Sequence, residues 1–169
     1  GGVAEFLADG LTAVFGLDPD PDAQMPARKR AERDANNAAK QADFWRQIEE
    51  AEKATAHPGL KAVLAFKRRM SELQPKLLRW GKAADAPADA KSTWWLRTAG
   101  GGEVKLGPEN FTFRVNGQLL FEDEALRAWW RSVHANEVKA AREAFPKGLC
   151  LISGENGMPL APTHNPKIQ

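Results

Sequence analysis

Basic side chains between residues 60 and 82 are the groups whose type and spacing most directly suggest a chemical role. Seven Lys or Arg residues lie in this window against one acid, Glu72, which leaves a local excess of +6. At 100° per residue on a helix, Lys61, Arg68 and Arg69 share one arc. Such a stripe could neutralise phosphates. The alternative interpretation is a solvated charged face.

A second basic cluster, Arg28, Lys29 and Arg30 with Arg33, comes at the start of a predicted helix. The helix dipole mildly disfavours positive charge there, which favours a binding role for the cluster. The formal net charge of the chain is only +2, so any nucleic-acid role must depend on local clusters. A solvated helix face is again the alternative.

Tryptophan side chains supply a second chemistry, because their rings stack on nucleobases. The chain holds six Trp and no Tyr. Trp45, Trp129 and Trp130 have the spacing of a buried helix face, which favours core positions. Trp94 and Trp95 are neighbours in a predicted strand and face opposite ways, so one of them is expected to be partly exposed.

Nucleophiles, histidines and glycine-rich segments do not indicate an enzyme. Cys150 lies in the apolar run 149–152, where a small buried hydrophobe is its natural role. Residues 153–155 lack the flanking pattern of a nucleophile elbow, and the glycines 100–102 lack the lysine of a phosphate loop. Metal ligands at useful spacing are absent from the sequence. We therefore expect no catalysis, no metal and no cofactor.

Length and composition predict one soluble globular domain. The chain has 169 residues, of which 43% are hydrophobic and 27% charged. A single cysteine excludes an internal disulfide and a Cys₄ or Cys₂His₂ zinc site. No apolar run approaches the roughly 20 residues of a membrane span, and no signal-peptide pattern opens the chain. We expect a reduced, cytoplasmic, mostly helical domain with no membrane partner.

The hydrophobic pattern predicts an α+β fold that is predominantly helical, with short β-hairpins and a C-terminal strand. Residues 1–25 are predicted as a hairpin and loop, with the runs 3–7 and 12–17 flanking Asp9-Gly10. Residues 26–80 are predicted as helical. The small polar segment 81–91 is predicted as a linker, and residues 92–169 as an α+β region.

Within the helical region, one long helix is predicted from residue 26 to about 56. Its apolar residues form a narrow face, made mostly of alanine in the first half and of larger side chains in the second half. The second half is therefore expected to anchor the helix. That predicted face consists of Ala31, Ala35, Ala38, Ala42, Trp45 and Ile48. Pro58 opens the next helix, and Pro75 is expected to end or kink it.

The region after the linker mixes strands and helices. A strand is predicted over 93–96, and Asn116-Gly117 predicts a hairpin between the runs 111–115 and 118–121. The acidic residues 122–124 open a helix with a buried face at Leu126, Trp129, Trp130 and Val133. A short helix over 137–145 then leads to a buried strand at 148–152.

The ends of the chain predict a piece of a longer protein. Gly1-Gly2 stands where a Met would open a complete chain. The sequence stops at Gln169, shortly after an apparent strand and turn.

Three blocks of residues form a recognisable pattern in order along the chain. The most specific is GLCLISGE (148–155) followed by MPLA (158–161), His164 and PKI (166–168). The second is FRVNG (113–117) with FED (121–123) and ALRAW (125–129), and the third is FLAD (6–9) with VFGL (14–17). Together they resemble the Csd family, the large subunit of the type I-C CRISPR effector complex (Cascade). Asn165, between His164 and Pro166, departs from the family pattern.

The resemblance implies a non-enzymatic subunit of a crRNA-guided antiviral complex, with this chain as part of its N-terminal region. Large subunits of this kind bind double-stranded DNA, recognise the short motif beside the target (the PAM) and help open the duplex for guide pairing. The implied partners are the DNA target, the crRNA, the other Cascade subunits and a helicase-nuclease recruited in trans.

The charge clusters and the resemblance together nominate site residues. Those expected to contact phosphates are Arg28, Lys29, Arg30, Lys61, Arg68 and Arg69. Asn116 and Gln118 at the hairpin tip, and the glycines 100–102, are candidate groove-facing loops, because amides read base edges and glycine permits close backbone approach. A plain turn is the alternative for each loop. A protein-binding scaffold within the same complex is the alternative for the whole domain.

Overall fold

Helices and short strands alternate along the chain. The computed structural model describes residues 5–144, 147–148 and 156–159. The helices of this part are α1 (Leu11–Phe15), α2 (Ala27–Thr55), α3 (Pro58–Arg68), α4 (Met70–Leu77) and α5 (Glu124–Glu143), with a 3-10 turn at Leu120–Glu122. The strands are β1 (Ala8–Asp9), β2 (Leu78–Gly81), β3 (Thr93–Arg97), β4 (Glu103–Lys105), β5 (Phe111–Thr112), β6 (Arg114–Val115), β7 (Gln118–Leu119), β8 (Lys147–Gly148) and β9 (Met158–Pro159).

The described strands pair into four small antiparallel sheets. The largest is β2–β3–β4 with β3 at its centre, and the others are the pairs β1–β5, β6–β7 and β8–β9. The predicted α+β class, mostly helical with short hairpins and a C-terminal strand, is confirmed. Residues 149–152, including Cys150, and the block around His164 lie outside the described residues.

Two compact units divide the chain, residues 1–127 and residues 128–169. In the first unit, the second half of α2 packs on α1 and α3. Phe44 has no exposed surface, and Trp45 is buried beside it with its indole Nε1 donating to the carbonyl of Val14 (3.1 Å). The ring centroid of Phe113 lies 6.3 Å from that of Phe44 and 6.0 Å from that of Trp45. Anchoring of the long helix by its second half is therefore confirmed.

The first half of α2 turns polar side chains, not the predicted alanines, toward the protein. Its half-buried residues are Arg30, Arg33, Asn37, Lys40 and Gln41, which continue the row that leads to Phe44 and Ile48. The four alanines of the predicted face are exposed, so that face is wrong for this half of the helix. Alanine offers little apolar surface to bury, whereas Arg33 pairs with Asp18, and Lys40 pairs with Asp9 at 2.8 Å.

Residues 8–15 form a strand and a helix rather than the predicted hairpin. β1 pairs with the distant strand β5, and the second apolar run folds as α1, which ends at Gly16 in a left-handed conformation (φ 70°). Leu11, Val14 and Phe15 are all buried. A strand would have turned alternate residues away from the core, so the helix buries more of this run.

Three other boundaries differ from the predicted ones. The break between α3 and α4 falls at Arg69, whose amide donates to the carbonyl of Phe66 (3.0 Å). Pro75 lies inside α4, which ends two residues later. The segment predicted as a short helix over 137–145 is the last part of the single helix α5 up to Glu143.

Residues 78–81, predicted as the end of the helical region 26–80 and the start of the linker 81–91, form strand β2. Residues 82–92 contain no helix or strand, but they connect the paired strands β2 and β3, so they are a loop within one sheet rather than a linker between regions. The predicted Asn-Gly hairpin agrees with the structure. Asn116 (φ 51°) and Gly117 (φ 82°) form the tip of the β6–β7 hairpin, as an Asn-Gly turn requires.

Asp123 connects the first turns of α5 and α3. Its Oδ1 accepts hydrogen bonds from the amides of Ala125 (3.0 Å) and Leu126 (3.1 Å). Its Oδ2 lies 3.3 Å from Nε2 of His57, whose Nδ1 accepts from the amide of Gly59 (3.2 Å). The amide of Leu126 lowers the pKa of Asp123 most strongly. Burial raises this pKa, but the imidazole of His57 lowers it further, so the pKa is lowered overall.

We expect Asp123→Ala to lower the free energy of unfolding by about 1 kcal/mol at neutral pH, the usual cost of losing an N-cap. The pKa of Asp123 is lower in the folded state than in the unfolded state. The carboxylate therefore contributes its full stabilisation of the fold at any pH above its unfolded-state pKa. This stabilisation is lost as the pH falls through the folded-state pKa. The difference between the two proteins in urea unfolding should shrink below about pH 4. Glu122→Ala, at an exposed carboxylate nearby, is the control. A difference that stays constant with pH would contradict the role of the Asp123 carboxylate.

Candidate nucleic-acid interface

Lys61 and Arg68 stand together on the exposed face of α3. They are seven residues apart, about two helical turns, so their side chains share one face. Val63, on the opposite face, is buried. Neither basic side chain has an ion pair or hydrogen bond within the described part of the chain. Both charges are therefore available to a partner.

Arg69, the third residue of the predicted arc, lies at the break between α3 and α4 and is neutralised by Glu72 of α4. Its Nη2 lies 3.3 Å from the carboxylate of Glu72, which also accepts from Nζ of Lys76 (2.9 Å). Lys76 first and Arg69 second lower the pKa of Glu72. The arc thus presents two free cations and one that already has a counterion.

Two other basic residues of the window 60–82, Lys67 and Arg79, are paired with acids from outside it. Nζ of Lys67 donates to Glu49 (2.7 Å) and lies 5.5 Å from the ring centroid of Trp45. Arg79 bonds Glu103 through both Nε (3.0 Å) and Nη2 (2.5 Å). These two acids reduce the local excess from +6 along the sequence to +4 on the folded surface.

The basic start of α2 divides in the same way. Arg28 and Lys29 are exposed, and their side chains contact no acid among the described residues. Arg30 is half-buried and donates to the carbonyls of Pro21 (3.3 Å) and Ala23 (2.6 Å). Arg30 thus holds the preceding loop, while its two neighbours point their charge to solvent.

Both candidate loops project into open space. Asn116 and Gln118 are exposed on either side of Gly117, and an added Cβ at Gly117 would meet no atom of the described residues within 4 Å. The same holds for Gly100 and Gly101 in the turn between β3 and β4. Each loop tip is therefore sterically free to approach a partner.

A family comparison decides what kind of protein carries these features. The model of the CRISPR-associated protein family Cas_Csd1 matches residues 1–169. The chain belongs to the CRISPR-associated Csd1 family. The family resemblance drawn from the residue blocks is confirmed. Comparison with curated proteins and with solved structures finds no match for this chain.

The described residues of the Csd1-family chain hold no group of three or more His, Cys, Asp or Glu side chains that could bind a metal ion. No helix among these residues is long and apolar enough to cross a membrane.

A pocket of about 470 Å³ lies in the first unit of the Csd1-family chain. Asp9, Lys40, Trp94 and Asn110 are among its lining residues. Burial opposes ionisation of Asp9, yet Lys40 and the amides of Glu5 and Gly10 lower its pKa overall. Asp9 and Lys40 neutralise each other, so this pair presents no free charge to a ligand. The carboxylate of Glu109, which also lines the pocket, accepts a hydrogen bond from the amide of Gly107 (2.6 Å).

Sequence reasoning missed one basic surface of the Csd1-family chain. Arg97 and Lys105 lie on the same face of the three-stranded sheet as Trp95 and Arg79. These cations are spread over 27 residues of sequence and form no run. The alternation within Thr93–Arg97 together with a strand register would have found them.

We expect the two arginines at the start of α2 to differ in their effect on stability. Arg30→Ala removes two hydrogen bonds to loop carbonyls and should lower the free energy of unfolding by about 1 kcal/mol. Arg28→Ala removes the same side chain from an exposed site and should change it by less than about 0.5 kcal/mol. Urea unfolding of both variants measures the contrast, and equal losses would show that Arg30 does not hold the loop.

Proposed function

We propose that this chain, as part of a large subunit of a crRNA-guided type I-C effector complex, helps to bind double-stranded DNA, recognise the PAM and open the target. The observation that carries the proposal is the pair Lys61 and Arg68, two exposed cations on one face of α3 that have no ion pair among the described residues. Arg28 and Lys29 supply a second cluster that is likewise unpaired in the described part of the chain.

Unpaired cations are suited to DNA because each one that neutralises a phosphate releases condensed counterions. A cation already held by a carboxylate must first leave its partner, as Arg69 would have to leave Glu72. The four free side chains are therefore expected to provide the phosphate contacts, with Arg69 secondary and Arg30 structural. Phosphate contacts of this kind position the duplex without reading its sequence.

Reading of the PAM is assigned to the exposed loop tips. The side-chain amides of Asn116 and Gln118 can donate to and accept from base edges. The turn of glycines 100–102 allows the backbone to approach a groove closely, because no side chain intervenes. Guide pairing reads the rest of the target.

The proposed subunit is non-catalytic and acts in the cytoplasm. Its partners are the target duplex, the crRNA, the other Cascade subunits and a helicase-nuclease recruited in trans. DNA cleavage belongs to that recruited enzyme. A protein-binding scaffold without DNA contact is the competing function, and the next experiment separates the two.

We expect Lys61→Ala/Arg68→Ala in the full-length subunit, assembled into its complex, to weaken duplex binding. The slope of log affinity against log salt should become shallower by about 2, one unit for each lost phosphate contact. The matched control is Arg46→Ala/Lys76→Ala, which removes one Arg and one Lys that are both exposed and already paired with carboxylates. If the salt slope of the first variant equals that of the wild type, the scaffold function is favoured.

A second experiment addresses the hairpin tip. Asn116→Gly keeps the turn, because glycine accepts a φ of 51°, and removes the side-chain amide. We expect it to reduce discrimination between duplexes with and without the PAM by about 1–3 kcal/mol, with affinity for the PAM-less duplex unchanged. Gln118→Ala is the companion variant. Unchanged discrimination in both would remove this tip from PAM recognition.

A further inference from the structure

The outer face of the sheet β2–β3–β4 carries a tryptophan bordered by cations. Side chains alternate along β3, so Trp95 and Arg97 lie on the face opposite Trp94. The strand register places Arg79 on one side of Trp95 and Lys105 on the other. Trp94 belongs to the other face, where its ring centroid lies 5.4 Å from that of Trp80.

Arg79 and Trp95 form a stack that is held in place before any ligand arrives. The guanidinium carbon of Arg79 lies 5.5 Å from the ring centroid of Trp95. Glu103 accepts two hydrogen bonds from this guanidinium, and the carbonyl of Lys82 accepts a third (3.1 Å). The indole Nε1 of Trp95 donates to the carbonyl of Gly81 (2.9 Å). A planar guanidinium fixed on an indole presents a flat surface on which a base can stack.

The charge around this stack is positive. Arg79, Arg97 and Lys105 face a single carboxylate, that of Glu103, which leaves a net charge of +2 on this face. The Arg97 side chain is 50% exposed and only 3.6 Å from Glu103, whereas Lys105 is exposed without an acidic partner in the described part of the chain. Arg97 and Lys105 are diagonal neighbours on adjacent strands, positions at which the two Cα atoms are about 7–8 Å apart.

We propose that this face binds single-stranded DNA. A base stacks on the guanidinium of Arg79, while Arg97 and Lys105 bind the flanking phosphates. A duplex keeps its bases inside the helix, so the stack would contribute nothing to duplex binding. The proposal rests on the proposed function for its ligand, because opening of a target duplex releases a single strand.

The test uses the full-length subunit and two fluorescein-labelled probes in fluorescence anisotropy. One probe is an oligo-dT, and the other is an abasic oligonucleotide of the same length with the same phosphates. The wild type should bind the oligo-dT at least about five-fold more tightly than the abasic strand, because only the former has bases to stack. Equal affinities would overturn the stacking step and with it the proposal.

Two variants separate stacking from charge. Arg79→Lys keeps the positive charge but removes the planar group, so the preference for oligo-dT over the abasic strand should disappear. Arg97→Ala/Lys105→Ala should weaken binding of both probes and make the salt slope shallower by about 1.4. Arg46→Ala/Lys76→Ala is again the control and should bind as the wild type does.

The remaining outcomes decide between this ligand and others. If Arg97→Ala/Lys105→Ala binds oligo-dT as tightly as the wild type does, the proposal is overturned. It is also overturned if this variant binds DNA normally but assembles poorly into the complex, because that result would identify the face as a subunit interface. Tighter binding of oligo-U than of oligo-dT overturns the assignment to DNA. Loss of duplex binding in Lys61→Ala/Arg68→Ala tests the proposed function separately, since those side chains lie on α3.

Discussion

Packing of the second half of α2 is the constraint on which the first unit depends. Phe44 and Trp45 bring together α1, through the carbonyl of Val14, and the segment before the β6–β7 hairpin, through Phe113. Because α2 is one continuous helix, fixing its second half also fixes the direction of its first. Arg28 therefore lies about 24 Å along the helix axis from Phe44. The position of the basic helix start is a consequence of aromatic packing far from it.

Ion pairing then determines which cations can act on a partner. Exposed pairs such as Arg69–Glu72 add little to the stability of the fold, but they remove the net charge that a phosphate would neutralise. Lys61 and Arg68 have no ion pair among the described residues, whereas Glu49 pairs with Lys67, and Glu72 pairs with Arg69 and Lys76. Availability of charge, rather than its local density, distinguishes the candidate interface.

Local patterns predicted those features of the fold that depend on neighbouring residues. The Asn116-Gly117 turn requires positive φ at two adjacent positions, which few other residue pairs tolerate. The opposite orientations of Trp94 and Trp95 follow from the alternation of any strand. The predicted N-terminal hairpin was wrong because an apolar run of six residues satisfies both strand and helix patterns, and packing against α2 decides between them.

The sequence by itself determined the α+β class, the anchoring of the long helix by its aromatic half, and membership of the CRISPR-associated Csd1 family. These features depend on residue types and on the spacing of residues that are close in the chain, and both are present in the sequence itself. Only the tertiary structure decided which basic residues are free, and that Arg79, Trp95 and Lys105 share one surface. The physical reason is that strand register and ion pairs join residues far apart in the chain. Arg79 and Glu103, 24 residues apart, show that no local period could reveal such a pairing.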